Sequence, residues 1–239
     1  LITKPVIIEL YSICFYMMKF KLSVFIGFIG FIVIASCKKG NDAAPATPLK
    51  TSINFVNASA DTINFYVNGS RLNTTAASYP LASTGYLTTP LGEQNYEVKK
   101  DRNPNILFNL VLPVDTGKVY SFFVTDNTSA NTFTVVDTLP KVDTTMIRFV
   151  HTSPNMGDVE ILMNDTVAFA NAKFKSVSDY LPVTPGLKQI KVVDVATGNV
   201  LINEPRVLQL NRAYTLFTKG ALMATDAPAI SGTGLIINR

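Results

Sequence analysis

Apolar and polar residues alternate with a period of two along the chain beyond residue 51. Every second residue of 63–67 is apolar and an Asn-Gly pair follows, which is typical of a strand that enters a hairpin turn. Residues 119–125 and 213–218 also alternate, and they are rich in the aromatic and β-branched residues that favour strands. The pattern predicts an all-β fold whose last strand, 235–237, follows a Gly-Thr-Gly turn at 232–234.

The chain repeats itself when it is shifted by 94 positions. The matching segments are residues 53–56 and 147–150, 85–87 and 179–181, and 120–123 and 214–217. One register holds over about 70 residues, with a two-residue excursion near residues 155–158. The repeat predicts two tandem domains, 51–140 and 141–239, joined near residues 139–142. At about 95 residues each, the natural architecture is a seven-stranded immunoglobulin-like β-sandwich.

Residues 17–36 have the features of a secretory leader. Two lysines give a positive start, and residues 22–35 form an almost wholly apolar stretch that is too short for a comfortable transmembrane helix. The stretch ends in Ile-Ala-Ser-Cys at 34–37, which resembles the bacterial lipobox, where the cysteine is acylated and the leader is cut before it. This resemblance implies a lipoprotein anchored through Cys37. The alternative is a simple signal peptide or an anchor helix with a chance cysteine.

The segments on either side of the leader complete this reading of the N-terminal part. Residues 1–16 fit neither leader nor domain, and we interpret them as an upstream extension before a natural start at Met17 or Met18. Residues 37–50 are expected to be the lipidated cysteine and a flexible tether, because proline and small residues there show no apolar periodicity. Lys38 rather than Asp follows the cysteine, which in such lipoproteins favours the outer membrane, with the side of that membrane left open.

Composition removes several classes of function. Without residues 1–36, 203 residues remain with 18 basic and 16 acidic side chains, so a strongly basic nucleic-acid binder is excluded. One histidine, no tryptophan and two cysteines exclude most metal sites and disulfide frameworks. We therefore expect no cofactor, no metal and no nucleic-acid partner.

The second repeat carries the more specific motif. Residues 148–154, Arg-Phe-Val-His-Thr-Ser-Pro, open it, and a Tyr-Leu-Pro block with a glycine at 186 follows at 180–186. These residues resemble a family of repeated extracytoplasmic domains of bacterial envelope proteins that is classed as a domain of unknown function. The resemblance spans most of residues 145–225 and implies a sandwich at the cell surface or in the periplasm, without an established activity. The first repeat departs from the motif, with Asn57 in place of the histidine and Ala60 in place of the proline.

Three residues are candidates for ligand contact. His151 is the only histidine; it could act with Ser153 or Asp179, or it could end a strand and hydrogen-bond a neighbouring loop, which we favour because no nucleophile elbow accompanies it. Asp158 and Glu160 are spaced to share one face of a strand. Such a carboxylate pair could serve glycoside hydrolysis or bind calcium, although most are simply solvated. We assign no catalytic residue.

Four Asp-Thr pairs precede apolar residues and resemble the acceptor sites of a bacterial O-glycosylation system that acts on exported proteins. The candidate acceptors are Thr62, Thr138, Thr144 and Thr166. The alternative is that Asp-Thr simply favours turns before strands.

Together these features predict a non-catalytic outer-membrane lipoprotein that acts in binding, adhesion or envelope architecture. Its expected partners are membrane lipid through Cys37 and a glycan or an envelope protein. Tyr79, Tyr86 and Tyr180 are the aromatic residues that we expect to be able to stack on sugars. The alternatives are an envelope polysaccharide hydrolase that uses His151 or the carboxylates, and a passive spacer, which would hold the two domains in an elongated arrangement.

Overall fold

The computed structural model describes residues 50–141, 143–219 and 232–238, and within them it contains strands and no helix. The first repeat consists of β1 (Lys50–Asn57), β2 (Ile63–Val67), β3 (Ser70–Arg71), β4 (Ser83–Pro90), β5 (Gly92–Lys100), β6 (Ile106–Val114), β7 (Val119–Val124) and β8 (Phe133–Val136). The second consists of β9 (Thr145–Val150), β10 (Val159–Met163), β11 (Thr166–Ala172), β12 (Leu181–Val183), β13 (Gly186–Asp194), β14 (Val200–Leu208), β15 (Ala213–Lys219) and β16 (Gly232–Ile237). The all-β prediction is confirmed.

The expected leader, Cys37 and nearly all of the tether lie outside the described residues, as does Val142 of the expected linker. In the part of the chain that is described, no helix is long and apolar enough to cross a membrane.

Each repeat is a sandwich of two four-stranded sheets, and the two sandwiches share one topology. The sheets of the first are β4-β1-β7-β8 and β3-β2-β5-β6, and those of the second are β12-β9-β15-β16 and β11-β10-β13-β14. β1 pairs with β7, and β9 with β15, in parallel. Each sandwich has eight strands in the described residues, against the seven expected, because the hairpin turn after β2 or β10 leads into a further edge strand.

The alternation in β2 has the predicted consequence. Ile63, Phe65 and Val67 are buried in the core of the first sandwich. Asn68 and Gly69 follow with φ of 47° and 80°, the left-handed pair that a tight hairpin turn needs. Local pattern and tertiary packing agree here.

The two sandwiches also pack against each other, through a third apolar cluster. Phe122 faces the core of its own sandwich, whereas the next residue, Phe123, lies in a cluster that both repeats share. This shared cluster consists of Val56, Ala58, Phe123, Val150, Phe217 and Ile236. The central strands β1, β7, β9 and β15 are therefore buried on both faces. Both repeats belong to one unit of the chain, Pro48–Arg239.

Residues 232–234 form part of β16 and not a turn, which corrects the sequence prediction. In the ladder between β15 and β16, Phe217 pairs with Gly234. A Cβ atom at Gly234 would lie 2.0 Å from Cζ of Phe217, so the glycine is required by the ring that crosses over it. The first repeat has Phe133 at the matching position, and there the ring stacks on Phe123 with centroids 5.3 Å apart.

Candidate binding site

His151 follows β9 and is completely buried. Its Nε2 donates to the carbonyl oxygen of Gly157 at 2.9 Å, and its Nδ1 accepts from the backbone N–H of Ser153 at 3.2 Å. Burial lowers the pKa of His151, and the hydrogen bond to Gly157 and the carboxylate of Asp158 oppose this only in part, so the ring is mainly neutral at pH 7. Within the described residues the Ser153 hydroxyl has no hydrogen-bond partner, and Asp179 is exposed. The imidazole holds the loop between β9 and β10 in place.

Asn57 makes the same contacts in the first repeat. Its Nδ2 donates to the carbonyl oxygen of Asp61 at 2.7 Å, and its Oδ1 accepts from the backbone N–H of Ser59 at 2.9 Å. Asp61 matches Gly157, because the loop of the second repeat is longer by two residues. An imidazole reaches farther than a carboxamide, so the length of the loop explains the exchange of Asn57 for His151 without a ligand.

Asp158 and Glu160 have different surroundings. Asp158 is exposed in the bend before β10, and Glu160 is half-buried on that strand. The described part of the chain contains no group of three or more His, Cys, Asp or Glu side chains that could hold a metal ion.

The four candidate glycosylation sites have different surroundings. Thr138 and Thr166 are exposed, whereas Thr62 and Thr144 are half-buried. Asp137, which precedes Thr138, is buried and pairs with Arg148, while Asp61 pairs with Lys100 at 2.7 Å. The Asp-Thr pairs thus share a sequence pattern and no common structure.

A closed ring of hydrogen bonds lies between the two sandwiches. Asp137 accepts from Arg148 and from the Tyr86 hydroxyl, the latter at 2.8 Å. Asn238 donates to the Tyr86 hydroxyl at 3.0 Å and accepts from Thr215 at 2.6 Å, and Arg148 closes the ring by donating to Thr215 at 2.8 Å. The Asp137 and Arg148 side chains are 0% and 4% exposed, so the ion pair is removed from water. Sequence reasoning missed this pair, although an arginine within an apolar strand was the available signal.

The tyrosines considered for sugar stacking fall into two groups. Burial, and then the Asp137 carboxylate, raise the pKa of Tyr86, whose hydroxyl belongs to the ring between the repeats. The Arg148 guanidinium lies over the Tyr180 ring, with its Cζ atom 5.1 Å from the ring centroid. Tyr79 differs, because 64% of it is exposed. Of the three, Tyr79 is the aromatic residue available to a ligand.

A cavity of about 250 Å³ opens in the first repeat, between residues 72–78 and the start of β4. We call it the first-repeat cavity. Among the described residues, its lining contains two leucines, three alanines, no charged side chain, and six side chains with hydroxyl or amide groups: Asn73, Thr74, Thr75, Ser78, Ser83 and Thr84.

The cavity exists because the chain leaves the edge of the sheet early. β3 ends at Arg71. Beyond it, the side chain of Asn73 bonds to the backbone of β2 in place of a paired strand. Asn73 Oδ1 accepts from the backbone N–H of Phe65 at 2.9 Å, and its Nδ2 donates to the carbonyl oxygen of Ala76 at 2.9 Å. These bonds fix the loop without filling the space beside it.

The second repeat is built differently at the same place. β11 continues to Ala172, and Phe169 lies at the position that matches Asn73, since it pairs with Ile161 as Asn73 bonds to Phe65. The Phe169 ring stacks on Phe149 with centroids 6.0 Å apart. An aromatic ring that closes the edge of one sandwich is thus replaced by a short polar side chain in the other.

Ser78 is the most informative residue of the cavity. It is 5% exposed, its backbone forms a bridge with Ile63, and its hydroxyl has no hydrogen-bond partner in the described residues. Native structures seldom leave a buried hydroxyl unsatisfied, so such a group calls for an explanation. The matching residue of the second repeat is Ala172, which pairs with Val159 and has no hydroxyl.

Comparison with known protein families assigns the chain to a family. A model described as "Domain of unknown function (DUF4397)" matches residues 51–161 and again 145–232. The chain belongs to the DUF4397 family. The two DUF4397 matches together run from residue 51 to residue 232, and so include the first sandwich and the second sandwich up to the start of β16. They confirm the expectation of a domain of unknown function.

Other comparisons add little to the DUF4397 assignment. No curated protein matches the chain. Among solved structures, the carbohydrate-binding module CBMbc (family CBM26) from Eubacterium rectale Amy13K, crystallised with maltoheptaose, aligns over 79% of this chain and 96% of its own at 12% identity. The TM-score of 0.22 is too low to support an argument about fold or ligand. The function must therefore be argued from the geometry of the DUF4397 sandwiches themselves.

Proposed function

We propose that this DUF4397 protein is a non-catalytic binding module of a bacterial envelope, held on the outer membrane by lipid on Cys37, with the first-repeat cavity as its ligand site. One observation carries the binding assignment: Ser78 is a lining residue of the cavity whose buried hydroxyl has no partner in the described residues, and the second repeat has Ala172 at that position. A ligand that bonded to this hydroxyl would remove the cost of burying it unpaired.

The chemistry of the lining supports binding rather than catalysis. General acid–base catalysis needs a group whose pKa lies near the working pH. The polar groups of the cavity are hydroxyls and amides, which do not titrate in that range. His151, Asp158 and Glu160 are not among the lining residues.

The setting of the cavity also suits binding. Residues 72–78 form a loop between two strands of a rigid sandwich, and binding residues are commonly presented on loops that a rigid scaffold positions. Because Asn73 ties the loop to β2, the cavity is already shaped before a ligand arrives.

The binding assignment can be tested by nuclear magnetic resonance on the full chain with Cys37→Ser, which leaves every described residue unchanged. The probes are methyl α-glucoside, N-acetylglucosamine, succinate, phosphate, spermidine and indole. We expect at least one of them to shift the backbone amides of residues 74–78 in a saturable way. If none does, the cavity is not a ligand site and the binding assignment fails.

The lipid anchor has a separate test in native cells fed an alkyne analogue of palmitate. We expect the wild-type chain and Cys14→Ser to become labelled, and Cys37→Ser to remain unlabelled. An unlabelled wild-type chain, or labelling that persists in Cys37→Ser, would disprove the anchor.

The hydrolase alternative is tested by incubating the full chain with envelope polysaccharide and measuring new reducing ends. We expect none. Release of reducing ends that Asp158→Asn or Glu160→Gln abolishes would replace the binding assignment with catalysis.

A further inference from the structure

We infer that the first-repeat cavity takes an uncharged, polyhydroxylated group, namely the terminal ring of a neutral saccharide, with the Ser78 hydroxyl as a direct partner of a sugar hydroxyl. This inference rests on the proposed binding function and names the ligand class of the same site.

The absence of charge in the lining selects a neutral ligand. None of the eleven lining residues in the described part of the chain is charged. Arg71 precedes them along the chain, and its guanidinium already donates to Asn64 at 2.6 Å. A charged ligand would lose its hydration in the cavity without gaining a counter-charge, which is costly.

The uncommitted polar groups select hydroxyls. Asn73 is committed to Phe65 and Ala76, and the Thr84 hydroxyl accepts from the N–H of Phe55 at 3.1 Å and donates to Gly85 at 2.8 Å. The other described polar groups of the lining are the hydroxyls of Thr74, Thr75, Ser78 and Ser83, and a hydroxyl both donates and accepts. A ligand hydroxyl meets both requirements at one atom, whereas a carbonyl or an ammonium group meets only one of them.

The size of the cavity indicates one ring-sized group, and an exposed aromatic residue follows the lining segment 72–78 in the chain. About 250 Å³ lies below the roughly 300–1,000 Å³ of pockets that enclose drug-sized ligands, so the cavity has room for one ring-sized group. Tyr79 lies in the turn that joins the lining segments 72–78 and 82–84, and it is 64% exposed. Its ring offers an apolar face to the C–H face of a sugar.

The test uses matched pairs of probes on the full chain with Cys37→Ser. Methyl α-glucoside is compared with methyl α-glucuronide, and N-acetylglucosamine with glucosamine, by titration calorimetry and amide shifts. We expect a neutral member to bind at residues 74–78, and its charged counterpart to bind at least about tenfold more weakly, since burial of an unpaired charge is disfavoured. We also expect the affinity for the neutral member to be insensitive to salt. Equal affinity for charged and neutral members would overturn the inference.

Substitutions then locate the contact. Ser78→Ala should reduce the affinity about three- to tenfold, the effect of losing one neutral hydrogen bond, without lowering the melting temperature. Ser78→Leu should abolish binding by filling the cavity, while the control Ala172→Leu, at the matching position of the second repeat, should leave the affinity unchanged. Unchanged affinity in Ser78→Ala and Ser78→Leu, or sugar-induced shifts confined to the second repeat, would overturn the inference. If charged or apolar probes bind at residues 74–78 and neutral sugars do not, this inference fails and the proposed binding function stands. If no probe of any class binds there, both fail.

Discussion

The two repeats have the same strand order and differ at one edge. In the second, β11 runs to Ala172 and Phe169 closes the core against Phe149. In the first, β3 stops at Arg71, Asn73 ties the chain to β2, and a cavity opens beside it. The difference shows which part of a duplicated sandwich is free to change.

The central strands are the constrained part. β1, β7, β9 and β15 face the core of their own sandwich on one side and the other repeat on the opposite side. A substitution there disturbs two interfaces at once, whereas a substitution in the edge strand disturbs one. Divergence at the edge can therefore create a site without loss of the scaffold.

The largest effect should come from breaking the asymmetric ion pair between the repeats. Arg148→Ala leaves the Asp137 carboxylate buried without a counter-charge, which should lower the free energy of unfolding by roughly 3–5 kcal/mol in urea denaturation. The matched control is Asn54→Leu at the equivalent position of the first repeat. Both amide atoms of Asn54 are buried without a partner in the described residues, so we expect this change to be neutral or stabilising. Equal losses in the two variants would contradict the asymmetry.

Removing the aromatic ring at the edge of the second repeat should come next. Phe169→Ala deletes a ring that is 9% exposed and packed on Phe149, and we expect a loss of about 3 kcal/mol. The same denaturation measurement checks it. A loss below about 1 kcal/mol would mean that the ring does not close the core.

Asn73→Ala should cost less, about 1–3 kcal/mol, because it leaves the buried N–H of Phe65 without its acceptor. Hydrogen exchange gives the decisive readout: the Phe65 amide should exchange faster, while the amide of Ile161 in the second repeat should be unaffected. Unchanged protection of Phe65 would show that Asn73 does not hold this strand.

The smallest effect concerns the two residues that hold the loops after β1 and β9. His151→Asn should cost about 1 kcal/mol at pH 7.5, because a carboxamide does not span the longer loop to Gly157. The pKa of His151 in the folded chain lies below its ordinary value of 6.5. At a pH between the folded pKa and 6.5, the unfolded chain therefore binds more protons than the folded chain. The wild type therefore loses stability as the pH falls through that window, and its advantage over His151→Asn should shrink.

Asn57→Ala provides the control for this pH dependence, because an amide does not titrate and the cost of its removal should be the same at both pH values. Unfolding free energies at pH 7.5 and pH 5 decide the matter. A difference between wild type and His151→Asn that grows at pH 5 would contradict a neutral, buried imidazole.

Much of the scaffold could be predicted from the sequence, because it depends on local patterns. The alternation in β2 specified which side chains are buried, and the 94-residue register specified two copies of one sandwich. The contact between the copies could not be predicted, because a strand buried on both faces resembles any other aromatic strand. The turn expected at 232–234 was wrong, because a glycine can be required by a neighbouring ring as well as by a bend.

The cavity escaped sequence reasoning for a different reason. It depends on the exchange of Phe169 for Asn73, and the two residues match only after the two-residue difference in loop length is allowed for. In the 94-residue register Asn73 aligns with Val167 instead. The unpartnered hydroxyl of Ser78 likewise becomes visible only when its surroundings are known. His151, which the sequence singled out, proves to be the counterpart of an asparagine that holds a loop.

A crystal structure of the chain soaked with methyl α-glucoside and N-acetylglucosamine would show whether divergence at the edge of the first repeat made a binding site. We expect density for a sugar in the first-repeat cavity, within hydrogen-bond distance of the Ser78 hydroxyl, and none beside Ala172 in the second repeat. Sugar bound equally in both repeats, or bound only away from residues 72–78, would contradict this expectation.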